Sequence, residues 1–161
     1  MFYTLLGVLL VVLDQITKFW AKGALAHGKT IDFIPYIMDF AYVENRGAAF
    51  GILQDTRWLL IGMTVVVLGV ILFYALKTKK RHPMFLLSVA LIFAGGVGNL
   101  IDRLFFGYVT DFLHVLFVEF PCFNLADVCV CVGGALLVIF LLFLSVISFP
   151  SALSIKTPFN M

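Results

Sequence analysis

Four aspartates of this 161-residue chain, Asp14, Asp102, Asp111 and Asp127, lie in or beside long apolar stretches, where an ionised carboxylate is costly and, taken singly, is about as often an interfacial or capping residue as a functional one. Asp111 and Asp127 are the pair with the clearest chemical use. Asp111 sits in Val109-Thr-Asp-Phe112 and Asp127 ends Phe123-Asn-Leu-Ala-Asp127. The residues between them make an out-and-back excursion over one membrane face, which can return both carboxylates to one point. Two close carboxylates in apolar surroundings do not readily both ionise, and tend to share one proton. In that state one group can activate water while the other polarises or protonates a peptide bond. The plainer alternatives are a helix N-terminal acid favoured by the macrodipole for Asp127 and a turn residue for Asp111.

Groups able to orient such a pair lie in short, glycine-containing segments. In Gly95-Gly-Val-Gly-Asn-Leu-Ile-Asp-Arg103, Asn99 and Arg103 are four apart on one helix face and Asp102 is three from Asn99, so this end can position a substrate backbone or a carboxylate. The alternative is close helix packing through small residues, with Asp102 and Arg103 marking the water boundary. Val43-Glu-Asn-Arg-Gly-Ala-Ala-Phe-Gly51 joins a turn signal to small residues that would admit an extended peptide, and a plain hairpin explains it about as well. Asp14 and Lys18 form an i,i+4 pair of favourable orientation, read here as a structural tether.

Other hydrolytic chemistries find no support. His-Glu-x-x-His is absent, His27, His82 and His114 are scattered, and no metal site is expected. There is no Gly-x-Ser-x-Gly elbow. Cys122 shares a loop with His114 without further support for a thiol nucleophile, and Cys122, Cys129 and Cys131 read as small packing residues.

The elements that must hold these groups follow from composition. Hydrophobic residues make up 63% and charged residues 12% of the chain, against about half and a quarter in soluble domains. A soluble globule, a disordered tail, a nucleic-acid binder and a disulfide-stapled secreted domain are thereby excluded. Four segments can cross a bilayer as helices: 1–20, 58–76, 84–101 and 128–149. Asp14 interrupts the first too early for a removable leader, so the N-terminus reads as mature structure. Lys77-Thr-Lys-Lys-Arg-His-Pro83 carries four firm positive charges in seven residues, which places this loop and both termini in the cytoplasm, with Lys156 in agreement. Residues 21–57 and 102–127 then face outward. Their Phe, Ile, Val and Tyr content predicts short strands or interfacial segments, flanked by Trp20 and Trp58 at the depth of an aromatic belt. The whole, residues 1–161, reads as one domain.

Taken together, the chain resembles the lipoprotein signal peptidase (signal peptidase II) family of bacterial membrane aspartic endopeptidases. The likeness rests on Leu13-Asp-Gln-Ile-Thr-Lys18, Asn45-Arg-Gly-Ala-Ala-Phe-Gly51, the Gly95–Arg103 segment and the two motifs holding Asp111 and Asp127, in that order. It implies four transmembrane helices with a small extracytoplasmic β-cradle and a short interfacial helix. Asp111 and Asp127 are then the catalytic pair. Asn45, Gly47, Asn99, Arg103, Asn124 and Ala126 belong to the substrate site, supported by Asp14, Lys18 and Asp102. The implied enzyme needs no cofactor. As a monomer in the inner membrane it cleaves prolipoproteins bearing a diacylglyceryl group on the cysteine after the scissile bond, at the extracytoplasmic face, in contact with membrane lipids, and it binds globomycin-type inhibitors. Cys129, Cys131 and His114 sit outside the family pattern. A transporter would want polar groups along the full membrane depth, which the second and fourth spans lack; a non-catalytic scaffold would cleave nothing.

Overall fold

A computed structural model of the protein describes residues 1–48, 52–78 and 82–148, with the side chains of His27 and residues 143–148 not described. Four long helices dominate it: α1 (Phe2–Ala24), α2 (Arg57–Lys77), α3 (Pro83–Phe105) and α4 (Leu125–Ser148). All four are long and apolar enough to cross a bilayer. Their large side chains point outward as often as inward; Phe19 is 81% and Val66 64% exposed, the inverse of a soluble bundle and the surface that hydrocarbon chains would solvate.

The helices begin and end where local chemistry dictates. Pro83 opens α3 at a position that needs no N–H, and the His82 ring accepts from the Met84 N–H at 3.2 Å. Asn124 and Asp127 close α4 reciprocally: the Asn124 side chain accepts from the Asp127 N–H at 2.9 Å while Asp127 accepts from the Asn124 N–H at 3.1 Å. This is a capping box built from Asn and Asp.

Three of the four helices outrun their expected lengths by three or more residues at the end where the polar residues gather. The first span, expected to stop at 20, continues to Ala24; the third, expected to stop at 101, continues through Asp102 and Arg103 to Phe105; the fourth starts at Leu125 instead of 128. Apolarity alone marks where hydrocarbon ends. These extra turns persist because their polar side chains find partners across the bundle, as described below. Phe149, Lys79 to Arg81 and Lys156 lie outside the described residues, as do Ala49 to Gly51.

At this same end sits a three-stranded antiparallel sheet, order β1 (Thr30–Ile34), β2 (Met38–Asn45), β3 (Val109–Val115). Asn45 pairs with Val109 and Val43 with Asp111, with a bulge in β2 between Phe40 and Val43. The sheet is seated on the last turns of α1 through Ala21, Leu25 and Phe112, with Phe40 packed beside them. Outside the four spans, the only helical piece among the described residues is a 3-10 turn, Ala26–Gly28.

Glycines set the spacing of the bundle around α3. A side chain on Gly95 would run into the Ala126 carbonyl and Val130 of α4, one on Gly96 into the tip of Leu68 of α2, and one on Gly98 into Asp14 of α1 and Ala126. The neighbours differ in how they can yield. Gly95→Ala meets backbone, so it is expected to separate α3 from α4 and cost about 3 kcal/mol or more. Gly96→Ala meets only a leucine that can turn aside, and should cost less than half as much. Thermal unfolding of the two variants in detergent checks the contrast.

Candidate active site

The polar end of the bundle assembles two linked sets of side chains. The first joins three helices around Lys18, which is only 2% exposed. Its Nζ lies 2.9 Å from Asp14 Oδ2 and 3.5 Å from Asp102 Oδ2, and donates to Asn99 Oδ1 at 2.9 Å. Each carboxylate also holds a different backbone segment: Asp14 accepts from the Ala126 N–H at 2.9 Å, and Asp102 from the Thr110 N–H at 2.9 Å. Asp14 thus satisfies an orphan N–H at the start of α4, and Asp102 secures the start of β3. Gln15 Nε2 donates to Asp14 Oδ2 at 3.1 Å, to the Gly98 carbonyl at 3.2 Å and to Asp102 Oδ1 at 3.3 Å. The i,i+4 tether read from sequence is therefore present and forms part of a larger cluster.

The second set surrounds Asp111 and Asp127. Asn124, fully enclosed, donates through Nδ2 to Asp111 Oδ1 at 2.6 Å, while its backbone N–H donates to Asp127 Oδ2 at 3.1 Å. One residue therefore holds both carboxylates. Asn45 Nδ2 donates to Asp111 Oδ2 at 2.9 Å and Asn99 Nδ2 to Asp127 Oδ1 at 2.7 Å. Asn99 also accepts from Lys18, as above, and from Asn124 Nδ2 at 3.2 Å; it is the residue through which the two sets meet. Burial, and then the negative charge of Asp127, push the Asp111 carboxyl up to about 7, against the opposing hydrogen bonds from Asn45 and Asn124.

Arg103 Nη2 donates to the Gly47 carbonyl at 2.9 Å and the Gly47 N–H donates to Asn45 Oδ1 at 3.0 Å, so the loop after β2 is fastened to the end of α3. A side chain on Gly47 would approach the Ile52 carbonyl to 2.8 Å, which explains a glycine there. Asn45, Asn99, Arg103 and Asp127 line the polar end of a cleft of about 730 Å³ whose walls include Leu60, Met63, Val67 and Ile92. Asp111 lines an adjoining, more polar cavity. Asn124 and Ala126 line neither cleft; they are buried beneath the pair. All eleven residues singled out in the sequence thus gather at one end of the bundle.

Sequence reasoning left some participants unnamed. Gln15 and Thr110 entered only as letters within motifs, and nothing local signals that the side chain of Gln15 and the backbone of Thr110 meet one carboxylate. Cys122 and Cys131 line the cleft and only Cys129 is buried, so the reading of all three as packing residues holds for one. Desolvation raises the Cys122 thiol to about 11, which keeps it protonated and a poor nucleophile. His114 pairs with Asp39 at 2.9 Å across β2 and β3. Among the described residues, no three His, Cys, Asp or Glu side chains converge as metal ligands would.

Comparison with known proteins agrees with this assembly along nearly its whole length. The family model described as Signal peptidase (SPase) II matches residues 6–143. Lipoprotein signal peptidases of Streptococcus pyogenes serotypes M6 and M5 are each 45% identical over 132 residues, covering 82% of this chain and 87% of theirs. A bacterial membrane enzyme solved by the in meso method at 2.3 Å resolution superposes with a TM-score of 0.83 at 28% identity, over 99% of this chain and 93% of its own. Another, at 1.9 Å, gives 0.80 at 31% identity over 87% and 92%. The chain belongs to the signal peptidase II family: it is a multi-pass bacterial membrane protein, an aspartic-type endopeptidase that removes the signal peptides of prolipoproteins.

Proposed function

We propose that Asp111 and Asp127 are the catalytic pair of this peptidase and that they act as a unit sharing one proton. The observation that carries this reading is the double hold of Asn124 on both carboxylates. With the shared proton on Asp111, Asp127 takes a proton from the water that attacks the scissile carbonyl carbon. Asp111 hydrogen-bonds the carbonyl oxygen and later helps protonate the leaving amine. Asn99 and Asn45 hold the two carboxylates in register, and Arg103, held against Gly47, borders the cleft where the substrate backbone would lie. Asn124 and Ala126 serve from beneath, and Asp14, Lys18 and Asp102 brace them.

The apolar cleft suits a substrate that arrives by lateral diffusion. A diacylglyceryl chain and the apolar signal segment can stay in hydrocarbon while the peptide bond reaches the polar end, and a globomycin-type inhibitor would compete for the same space. All eleven site residues come from this one chain, which we read as a single domain acting as a monomer. Lys77, the last residue of α2, and Pro83, the first of α3, lie at the opposite end of the bundle from the sheet; with the basic sequence between them, the positive-inside rule supports a site at the extracytoplasmic face of the inner membrane and both termini in the cytoplasm.

The shared proton makes a pH prediction. Activity should fall as pH rises through about 7, because the pair then loses the proton that Asp111 holds. The same shift acts on stability with a definite sign. The folded state binds this proton more tightly than the unfolded chain, whose carboxyl has the ordinary value of 3.8. The contribution of Asp111 to stability is therefore full below about 4, declines up to about 7 and stays lost above that. Paired pH profiles of kcat/KM and of melting temperature test this; a flat activity profile from pH 6 to 9 would count against the shared proton.

A further inference from the structure

We infer that the polar groove beside Asp111 receives the polypeptide segment following the scissile bond, and that Glu44 biases the enzyme toward basic residues in it. The inference rests on the catalytic pair proposed above and assigns what lies on its far side. Two cavities meet at the site. The apolar cleft of about 730 Å³ reaches Asp127, and a second space of about 400 Å³, lined by Glu44, Arg46, Gln54, Asp111 and His114, reaches the other carboxylate. Asn45, Phe120, Pro121 and Cys122 line both, so they form the neck between them. A peptide bond held by both carboxylates must lie at this neck, with one part of the substrate in each space.

Solubility then decides which part goes where. The apolar segment of a signal peptide and the hydrocarbon of a lipid anchor belong in the apolar cleft, in contact with the bilayer. The remaining part of a prolipoprotein, the chain beyond the lipid-bearing residue, is destined for water, and the polar groove is the way out. Glu44 on β2 and the proton-bearing Asp111 on β3 face the space, so its acidic bias comes from Glu44, and His114 is backed by Asp39 at 2.9 Å. Among the described residues lining it, the firm cation is Arg46, whose side chain is 62% exposed and 3.7 Å from Glu44. An exposed pair of that length is weak and can give way to an incoming amine.

The test uses two sets of lipidated precursor peptides, one with Lys, Ser or Asp at the second and third positions after the scissile bond, the other with the same residues at the second and third positions before it. At low salt the enzyme should favour Lys over Asp in the first set by roughly fivefold in kcat/KM, mainly through KM. That preference should fade in about 0.5 M NaCl. Glu44→Gln, which keeps an acceptor for the Tyr42 hydroxyl, should abolish the preference, and Arg46→Gln should enlarge it. A wild-type ratio of one, or a ratio that Glu44→Gln leaves untouched, overturns the inference. So does an effect of Glu44→Gln confined to the second set, which would give the groove to the signal-peptide side. Failure of the catalytic pair would look different: Asp111→Asn would continue to turn over the Ser peptide whatever residue stands at 44.

Discussion

Asp111→Asn and Asp127→Asn should each lower cleavage of a lipidated precursor by about 10³-fold or more, the scale on which a positioned general acid or base contributes. The double variant should be no worse than either single change, because two groups that act as a unit lose their function once. Both variants should remain folded. In each, one carboxylate oxygen that accepts a hydrogen bond becomes an amide that donates: at 111 the mismatch falls on Asn45 or Asn124, at 127 on Asn99 or the Asn124 N–H. One such loss costs about 1–3 kcal/mol, small enough for the fold to survive.

Asp127→Glu separates capping from catalysis. A glutamate is well suited to the third position of α4 as the partner in a capping box, so the melting temperature should stay near that of the wild type. The carboxylate is displaced by a methylene, so cleavage should still fall steeply. If Asp127 were a cap alone, cleavage per folded molecule would survive in this variant and in Asp127→Asn. A gel-shift assay of precursor processing beside a detergent melt distinguishes the two.

Lys18→Met should produce the largest loss of stability among single changes at the polar end, about 3–5 kcal/mol. Methionine nearly matches the shape, but it removes the cation lying 2.9 Å from Asp14 and 3.5 Å from Asp102, both 1% exposed, and leaves those carboxylates without compensation. Asn99 also loses the donor that fixes its side-chain oxygen, so its hold on Asp127 should loosen. The expected kinetic signature is a fall in kcat with little change in KM, since Lys18 lines neither cavity. Asp14→Asn combined with Lys18→Met should cost clearly less than the sum of the single changes, because the removed charges compensate each other. Additive costs would mean that Lys18 acts only by filling space.

Much of this architecture is legible locally. The four spans are visible because hydrocarbon demands long apolar runs, and the strands because a β-rich loop beside a membrane has few other options. Asp111 and Asp127 stand out because ionised groups are rare at that depth. Helix ends are a different matter. The last turn of α3 reads as interface by apolarity, yet Asp102 and Arg103 remain helical because they bind Thr110 and Gly47. The fourth helix starts three residues early because Asn124, Asp127 and Asp14 occupy its first N–H groups.

The Ala126 N–H and Asp14 are 112 residues apart, and Gln15 and Asp102 are 87 apart. No periodicity or motif in one chain encodes such meetings. Residue type and spacing determined by themselves that this is a membrane protein, and singled out Asp111 and Asp127 as the pair to look for. Only the tertiary structure decided that Asn124 holds both members, that Lys18 braces them through Asn99, and that a polar groove opens beyond. The reason is physical: hydrophobic runs and turn chemistry act over a few residues, whereas the pairing of buried polar groups depends on which helices the glycines of α3 allow to touch.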